Sequence, residues 1–188
     1  MTTATQSIPA RIRAAKAVGV PLVAITTPDQ QATIHAICEH VNGDTPKVQW
    51  DILKGLLPIN KQGADAIGQT EADQETTKGS PVGLLQFIEK MPPGTLVFAR
   101  NFHKVIASTD PPLAPLQAVS TLRDEFKKDG RMLIMLAPGM QLPPELKDDT
   151  LLLDEPLPDA TALKTIITDT IEAASQDEKG NKIDLGVQ

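Results

Sequence analysis

The chain has 188 residues, a formal charge of −6, 40% hydrophobic and 22% charged residues, and only 3% aromatics. That is apolar material enough for one domain core, which excludes a chain disordered throughout; no apolar run reaches the ~18 residues that cross a bilayer, and no signal-peptide h-region opens the sequence. The lone cysteine, Cys38, excludes an internal disulfide framework, and an acidic chain without tyrosine lacks both the basic footprint and the stacking platform of general nucleic-acid binding. The profile is that of a soluble intracellular protein, expected in the cytoplasm.

Sixteen prolines and 12 glycines punctuate the elements. A helix is expected over about 9–18, with Ile12, Ala15 and Val18 on one face and Gly19 at its end. Pro21-Leu22-Val23-Ala24-Ile25 is a continuous apolar run, the pattern of a strand buried on both faces. Thr27-Pro28-Asp29-Gln30 then starts a helix, with Thr27 as N-cap, Pro28 as first helical residue and Gln30 closing a capping box. A strand is expected at Lys47–Asp51. Residues 54–78 turn polar and lose periodicity, which predicts an exposed, mobile excursion. Ser80-Pro81 caps the next helix, Thr95–Ala99 is a third strand, and Leu116, Val119, Leu122 and Phe126 mark a helix over about 113–127. Arg131–Ala137 is the strongest strand and Leu151–Leu153 a shorter one. A last helix, about 159–174, is expected to bury Leu163, Ile166, Ile167 and Ile171. The domain is thus read as 1–175, with a polar tail over 176–188. Apolar strands alternating with amphipathic helices define an α/β class with a parallel sheet covered on both faces.

In such a sheet ligands sit beyond the carboxyl ends of the strands. A phosphate loop there needs glycines, whose backbone N–H groups surround the phosphates, and a lysine to neutralise them. The first strand instead runs into Thr26-Thr27-Pro28-Asp29-Gln30, with neither. Asp29 also brings a carboxylate to the place where a helix start attracts anions. The third strand ends in Asn101-Phe102-His103, where a nucleoside triphosphatase needs an acid for magnesium. His35, Cys38 and His40 suggest a metal cluster, but position 40 lies ~140° around a helix from position 35, so no metal site is expected. No catalytic residue is assigned. The strand-end rim of Thr26, Thr27, Asp29, Gln30, Asn101, His103 and Gly139 is the candidate site, and its sequence offers no phosphate cradle.

These segments, in order, carry a resemblance. The apolar strand with Thr-Pro-Asp-Gln-Gln, then Gln49-Trp50-Asp51 with Gly55-Leu56, Asn101-Phe102-His103, Leu136-Ala137-Pro138 with Leu142-Pro143-Pro144-Glu145-Leu146, and Glu155-Pro156-Leu157-Pro158-Asp159 are involved. Over roughly 10–170 the chain resembles the N-terminal, non-ATPase half of AAA+ ATPases encoded by a conserved open reading frame of cyanobacteria and plastids, found also in other bacteria. The resemblance implies a three-layer, P-loop NTPase-like (RecA/AAA+-like) domain with a five-stranded parallel sheet in the order 5-1-4-3-2 and a degenerate phosphate loop. It also implies a protein partner, either an AAA+ ATPase module or a homo-oligomer. Two departures stand out: Asn101 replaces the family's usual acid, and no GPPGTGK-like segment occurs in the chain. ATP and magnesium are therefore expected only where an ATPase module is supplied elsewhere, and the sequence leaves open an excised domain or a stand-alone relative. The expectation is a non-catalytic interaction, regulatory or assembly module; the alternative is a small nucleotide-binding or hydrolytic α/β enzyme using Asn101 and His103.

Overall fold

Strands with no polar face need cover on both sides, and the computed structural model supplies it with two helical layers around one sheet. It describes residues 6–70, 73–108 and 113–156, together with 163, 164, 167, 168, 170 and 171. The chain divides into two compact units, Met1–Glu155 and Pro156–Gln188, an earlier boundary than the expected 175.

In the first unit the order is α1 (Ile8–Ala17), β1 (Leu22–Thr26), α2 (Gln30–His40), β2 (Lys47–Asp51), β3 (Gly55–Pro58), α3 (Lys61–Gly68), a 3-10 turn (Gln74–Thr77) and α4 (Pro81–Glu89). There follow β4 (Leu96–Arg100), α5 (Phe102–Ser108), α6 (Leu113–Asp129), β5 (Met132–Ala137), α7 (Pro144–Lys147) and β6 (Leu151–Asp154). The sheet order is β3-β2-β4-β5-β1-β6. Its parallel members, β2, β4, β5, β1 and β6, stand in the order that the resemblance implied. The sheet has six strands rather than five, because β3 adds an antiparallel edge beside β2.

That edge corrects the expectation for residues 54–78. The stretch builds β3, α3 and the 3-10 turn, and it buries Leu56, Ala66 and Thr77. The Trp50 indole N–H donates to the Thr77 carbonyl at 2.7 Å, and Thr77 Oγ1 accepts the Leu56 N–H at 2.9 Å. Asn60 Oδ1 takes the N–H groups of Lys47 (3.0 Å) and Gly63 (2.9 Å), tying the start of α3 to β2.

Alternate residues of the central strands feed opposite cores. Leu22, Ala24, Val97, Ala99, Leu133 and Met135 join α3–α7 in one, while Val23, Ile25, Leu96, Phe98, Ile134 and Leu136 join α1 and α2 in the other. Ser80 caps α4 as expected, accepting the Gly83 N–H at 2.9 Å. Val18, expected on the buried face of α1, follows the helix and is 78% exposed. In the second unit Leu163, Ile167 and Ile171 are exposed rather than buried, and Ile166 and the polar tail lie outside the described residues.

At the edge of the sheet opposite the strand carboxyl ends, charge serves the frame. Arg131 is buried over the Phe126 ring and donates to the Ile88 and Glu89 carbonyls at the end of α4. Lys16 Nζ joins the Gly94 and Gly130 carbonyls at 2.8 and 3.2 Å, and its burial lowers its pKa.

Two substitutions test this packing. A Cβ on Gly63 meets the Lys47 carbonyl oxygen at 2.1 Å. Gly63→Ala is therefore expected to destabilise by about 1–3 kcal/mol in denaturant unfolding, although Gly→Ala inside a helix ordinarily gains up to ~1 kcal/mol; a neutral or stabilising result would disprove the close approach. Val97→Ala, which truncates a fully buried β4 side chain, is expected to cost about 1–4 kcal/mol through lost burial and a residual cavity.

Candidate functional site

Only Thr27, Pro28 and Asp29 separate β1 from α2. The helix cap sits two residues later than expected. Asp29, not Thr27, is the N-cap, and its Oδ1 accepts the N–H groups of Gln31 (3.1 Å) and Ala32 (3.0 Å). Thr27 is excluded from that role because its N–H donates to the Ala137 carbonyl at 2.9 Å, carrying the β1–β5 ladder past the strand end. Its buried hydroxyl accepts from the Asp29 N–H at 3.1 Å and lies 2.7 Å from Thr33 Oγ1. Thr33 in turn reaches the Asp29 carbonyl at 2.8 Å and Glu155 Oε2 at 2.7 Å. Since Thr33 has one hydroxyl hydrogen for these two acceptors, Thr27 is the donor between the threonines. Thr26 closes the same corner, its carbonyl accepting the Glu155 N–H at 2.9 Å.

Asp29, Gln30 and Asn101 come together. With Pro28, Gln31, Asp51, Ile52, Arg100 and Val105 they line a cleft of about 360 Å³. Gln30 Nε2 donates to Asn101 Oδ1 at 3.2 Å. Asn101 has φ 54°, and its N–H donates to the Leu136 carbonyl at 2.8 Å. Asparagine tolerates this left-handed conformation better than most residues, which lets the chain turn sharply from β4 into α5, a helix that the sequence reading did not place. Asp51 lies on the adjacent strand end. Its Oδ2 accepts from Arg100 Nη2 at 3.0 Å and its Oδ1 from the Leu53 and Lys54 N–H groups at 2.9 and 2.7 Å. Burial opposes ionisation of Asp51, but the Lys54 N–H, Arg100 and the Leu53 N–H outweigh it and hold the carboxyl below its ordinary value. These bonds fix the β2–β3 turn with Leu53 84% exposed at its tip.

His103 and Gly139 lie apart from that cleft. With Lys104, Met140 and Gln141 they line a second hollow, of about 490 Å³. His103 is 4% exposed and its Nδ1 has no hydrogen-bond partner. Burial first, and the Lys104 charge second, push its pKa below the ordinary histidine value. Asn101 and His103 thus face different hollows.

The helical trio does not converge. His35 Nδ1 lies 3.6 Å from Glu39 Oε1, His40 Nδ1 lies 2.9 Å from the Ala36 carbonyl, and burial raises the Cys38 pKa against a smaller opposing effect of Lys47. Among the described residues no three His, Cys, Asp or Glu side chains group as metal ligands. No helix among them is long and apolar enough to cross a membrane.

The sequence reading named the rim but missed its supports. Thr33 and Glu155 hold the β1–α2 corner, and the Asp51–Arg100 pair holds the turn. The signal for the pair was opposite charge at the ends of two strands, visible only once β2 is known to neighbour β4.

The fold and this rim define a three-layer α/β domain of P-loop/AAA-like type whose first strand–helix link lacks a phosphate loop. The chain belongs to the family described as SpoVK-like AAA ATPase, N-terminal domain, whose model matches residues 6–155. No curated protein matches it.

Asp29→Ala is expected to cost about 1 kcal/mol in denaturant unfolding, the loss of an N-cap, and Asp29→Asn a smaller amount. A separate expectation follows from Asp51. Its folded-state pKa lies below the unfolded value of ~3.9, so its stabilisation is full above that value and is lost as pH falls through the lowered one. The stability difference between wild type and Asp51→Asn should be largest near neutral pH and shrink towards pH 2. A difference constant over that range would contradict the assignment.

Proposed function

We propose that this chain is a non-catalytic interaction, regulatory or assembly module that works with an AAA+ ATPase module. The observation that carries the reading is the Asp29 carboxylate on the first free N–H groups of α2. Nucleotide-binding proteins of this fold place a phosphate on such groups, and here the chain's own anion takes them. Pro28 contributes no N–H, and the link between β1 and α2 is too short to wrap a phosphate. Asn101, uncharged and bonded to Gln30, is a poor magnesium ligand. These residues do not fit a magnesium–nucleoside triphosphate. Membership of an ATPase-associated family then favours a role exercised through a protein partner, an ATPase module or a second copy. The hydrolytic alternative needs Asn101 and His103 in one cleft, and they line separate hollows.

The purified chain is expected to show no ATP turnover and no thermal shift with nucleotide, with or without magnesium. A ligand at 100 times its dissociation constant adds ~2.7 kcal/mol and is readily seen. Mixed with an AAA+ module of the same family, the chain is expected to co-elute with it and change its ATPase rate. Asp29→Ala and Asn101→Ala should leave that association intact. Magnesium-dependent turnover by the chain alone, lost on Asn101→Ala, would overturn the reading.

A further inference from the structure

Asn42-Gly43 is the one Asn-Gly pair in the sequence, and it lies in the turn between α2 and β2. A glycine after asparagine leaves the next backbone nitrogen uncrowded, because it has no Cβ. Both residues are exposed, and a Cβ built on Gly43 meets nothing within 4 Å. Among the described residues neither the Gly43 N–H nor Asn42 Nδ2 has a hydrogen-bond partner. Asn42 Oδ1 has one. It accepts the Asp44 N–H at 3.1 Å, which polarises the amide carbon and stabilises negative charge on that oxygen. The carbonyls around the pair are pinned. Lys47 is 3% exposed, and its Nζ donates to the Val41 and Asn42 carbonyls at 3.2 and 3.0 Å. Asn60 Nδ2 donates to the Gly43 carbonyl at 3.1 Å.

Comparable positions are closed. At Asp129-Gly130 the glycine N–H donates to the Phe126 carbonyl at 2.9 Å, and Arg131 holds the carboxylate. Asn60 spends Oδ1 on the Lys47 and Gly63 N–H groups and Nδ2 on the Gly43 and Thr45 carbonyls. Asn101 is followed by the bulky Phe102. We propose that Asn42 is a self-modifying site, deamidated within the folded chain. The Gly43 nitrogen gives its proton to solvent and attacks Asn42 Cγ. An N–Cγ bond forms, the Cγ–Nδ2 bond breaks, and Nδ2 takes up a proton to leave as ammonia. Water then opens the cyclic imide at either carbonyl. Opening at Cγ gives aspartate in the ordinary chain, and opening at the main-chain carbonyl gives isoaspartate, with the chain running through Cγ. Lys47 Nζ and the Thr45 N–H, at 3.0 and 3.1 Å, polarise the main-chain carbonyl, so isoaspartate is the main product. Its new carboxylate forms from the group that Lys47 already holds, a counter-ion for a buried ammonium that has none among the described residues.

The test is peptide mapping by mass spectrometry of the full chain, held at neutral pH and physiological temperature, with a synthetic peptide spanning residues 41–47 as the unstructured reference. Conversion that required global unfolding would run more than about a thousandfold slower than in the peptide. The segment bearing Asn42 is expected to gain about one mass unit at a rate within about a hundredfold of the peptide's, while Asn60 and Asn101 stay intact. Fragmentation that separates the isomers should find more isoaspartate than aspartate. Gly43→Ala, whose Cβ meets open space, should keep the wild-type unfolding midpoint and slow the conversion about tenfold or more. The proposal fails if Asn42 converts more slowly than the hundredfold limit, or if Gly43→Ala converts as fast as the wild type. Aspartate as the main product would overturn the role given to Lys47.

Discussion

Every residue of β5 is buried, and its side chains alternate between two cores: Leu133 and Met135 on one face, Met132, Ile134 and Leu136 on the other. The rest of the fold follows from that constraint. A strand with no face for water must lie inside a sheet with helices on both sides, and β4 and β1 share the same alternation beside it. The chain then has two edges at which polar groups can be useful. At one, Lys16 and Arg131 are consumed by backbone carbonyls of helix ends and turns. At the other, the strand carboxyl ends, side chains remain that touch open hollows. The candidate site is therefore placed by packing before any of its own chemistry is considered.

The strands were legible because their apolar residues are consecutive, and Ser80 was legible as a cap because Pro81 follows it in a local motif. The start of α2 was not, since Thr27-Pro28-Asp29 offers two capping side chains in three positions. The choice falls to Asp29 only because Thr27 is held in the β1–β5 ladder by Ala137, more than a hundred residues away. Residues 54–78 misled for a related reason. Their composition is polar, yet the segment is tied down by Trp50, which lies outside it and donates to the Thr77 backbone carbonyl. Of the rim residues, Asp29, Gln30 and Asn101 do share a cleft, while His103 and Gly139 share another. Sequence could place them all at strand ends, but the turn at Asn101, with φ 54°, separates them.

The rim beside α2 is filled by the chain's own groups. Asp29 satisfies N–H groups of the first helical turn, Thr27 and Thr33 form a buried hydroxyl pair, and Glu155, just past β6, closes the corner. Each group serves another, so removing Asp29 alone would expose N–H donors without creating a cradle: Pro28 still lacks its N–H, and Thr27 still belongs to the sheet. A phosphate cradle would need a longer link than the three residues between β1 and α2. An internal anion at the start of α2 is thus built into the local structure of the corner. The apolar sheet beneath it does not depend on that anion, because Val23, Ile25 and Ile134 are held by burial rather than by what the rim binds.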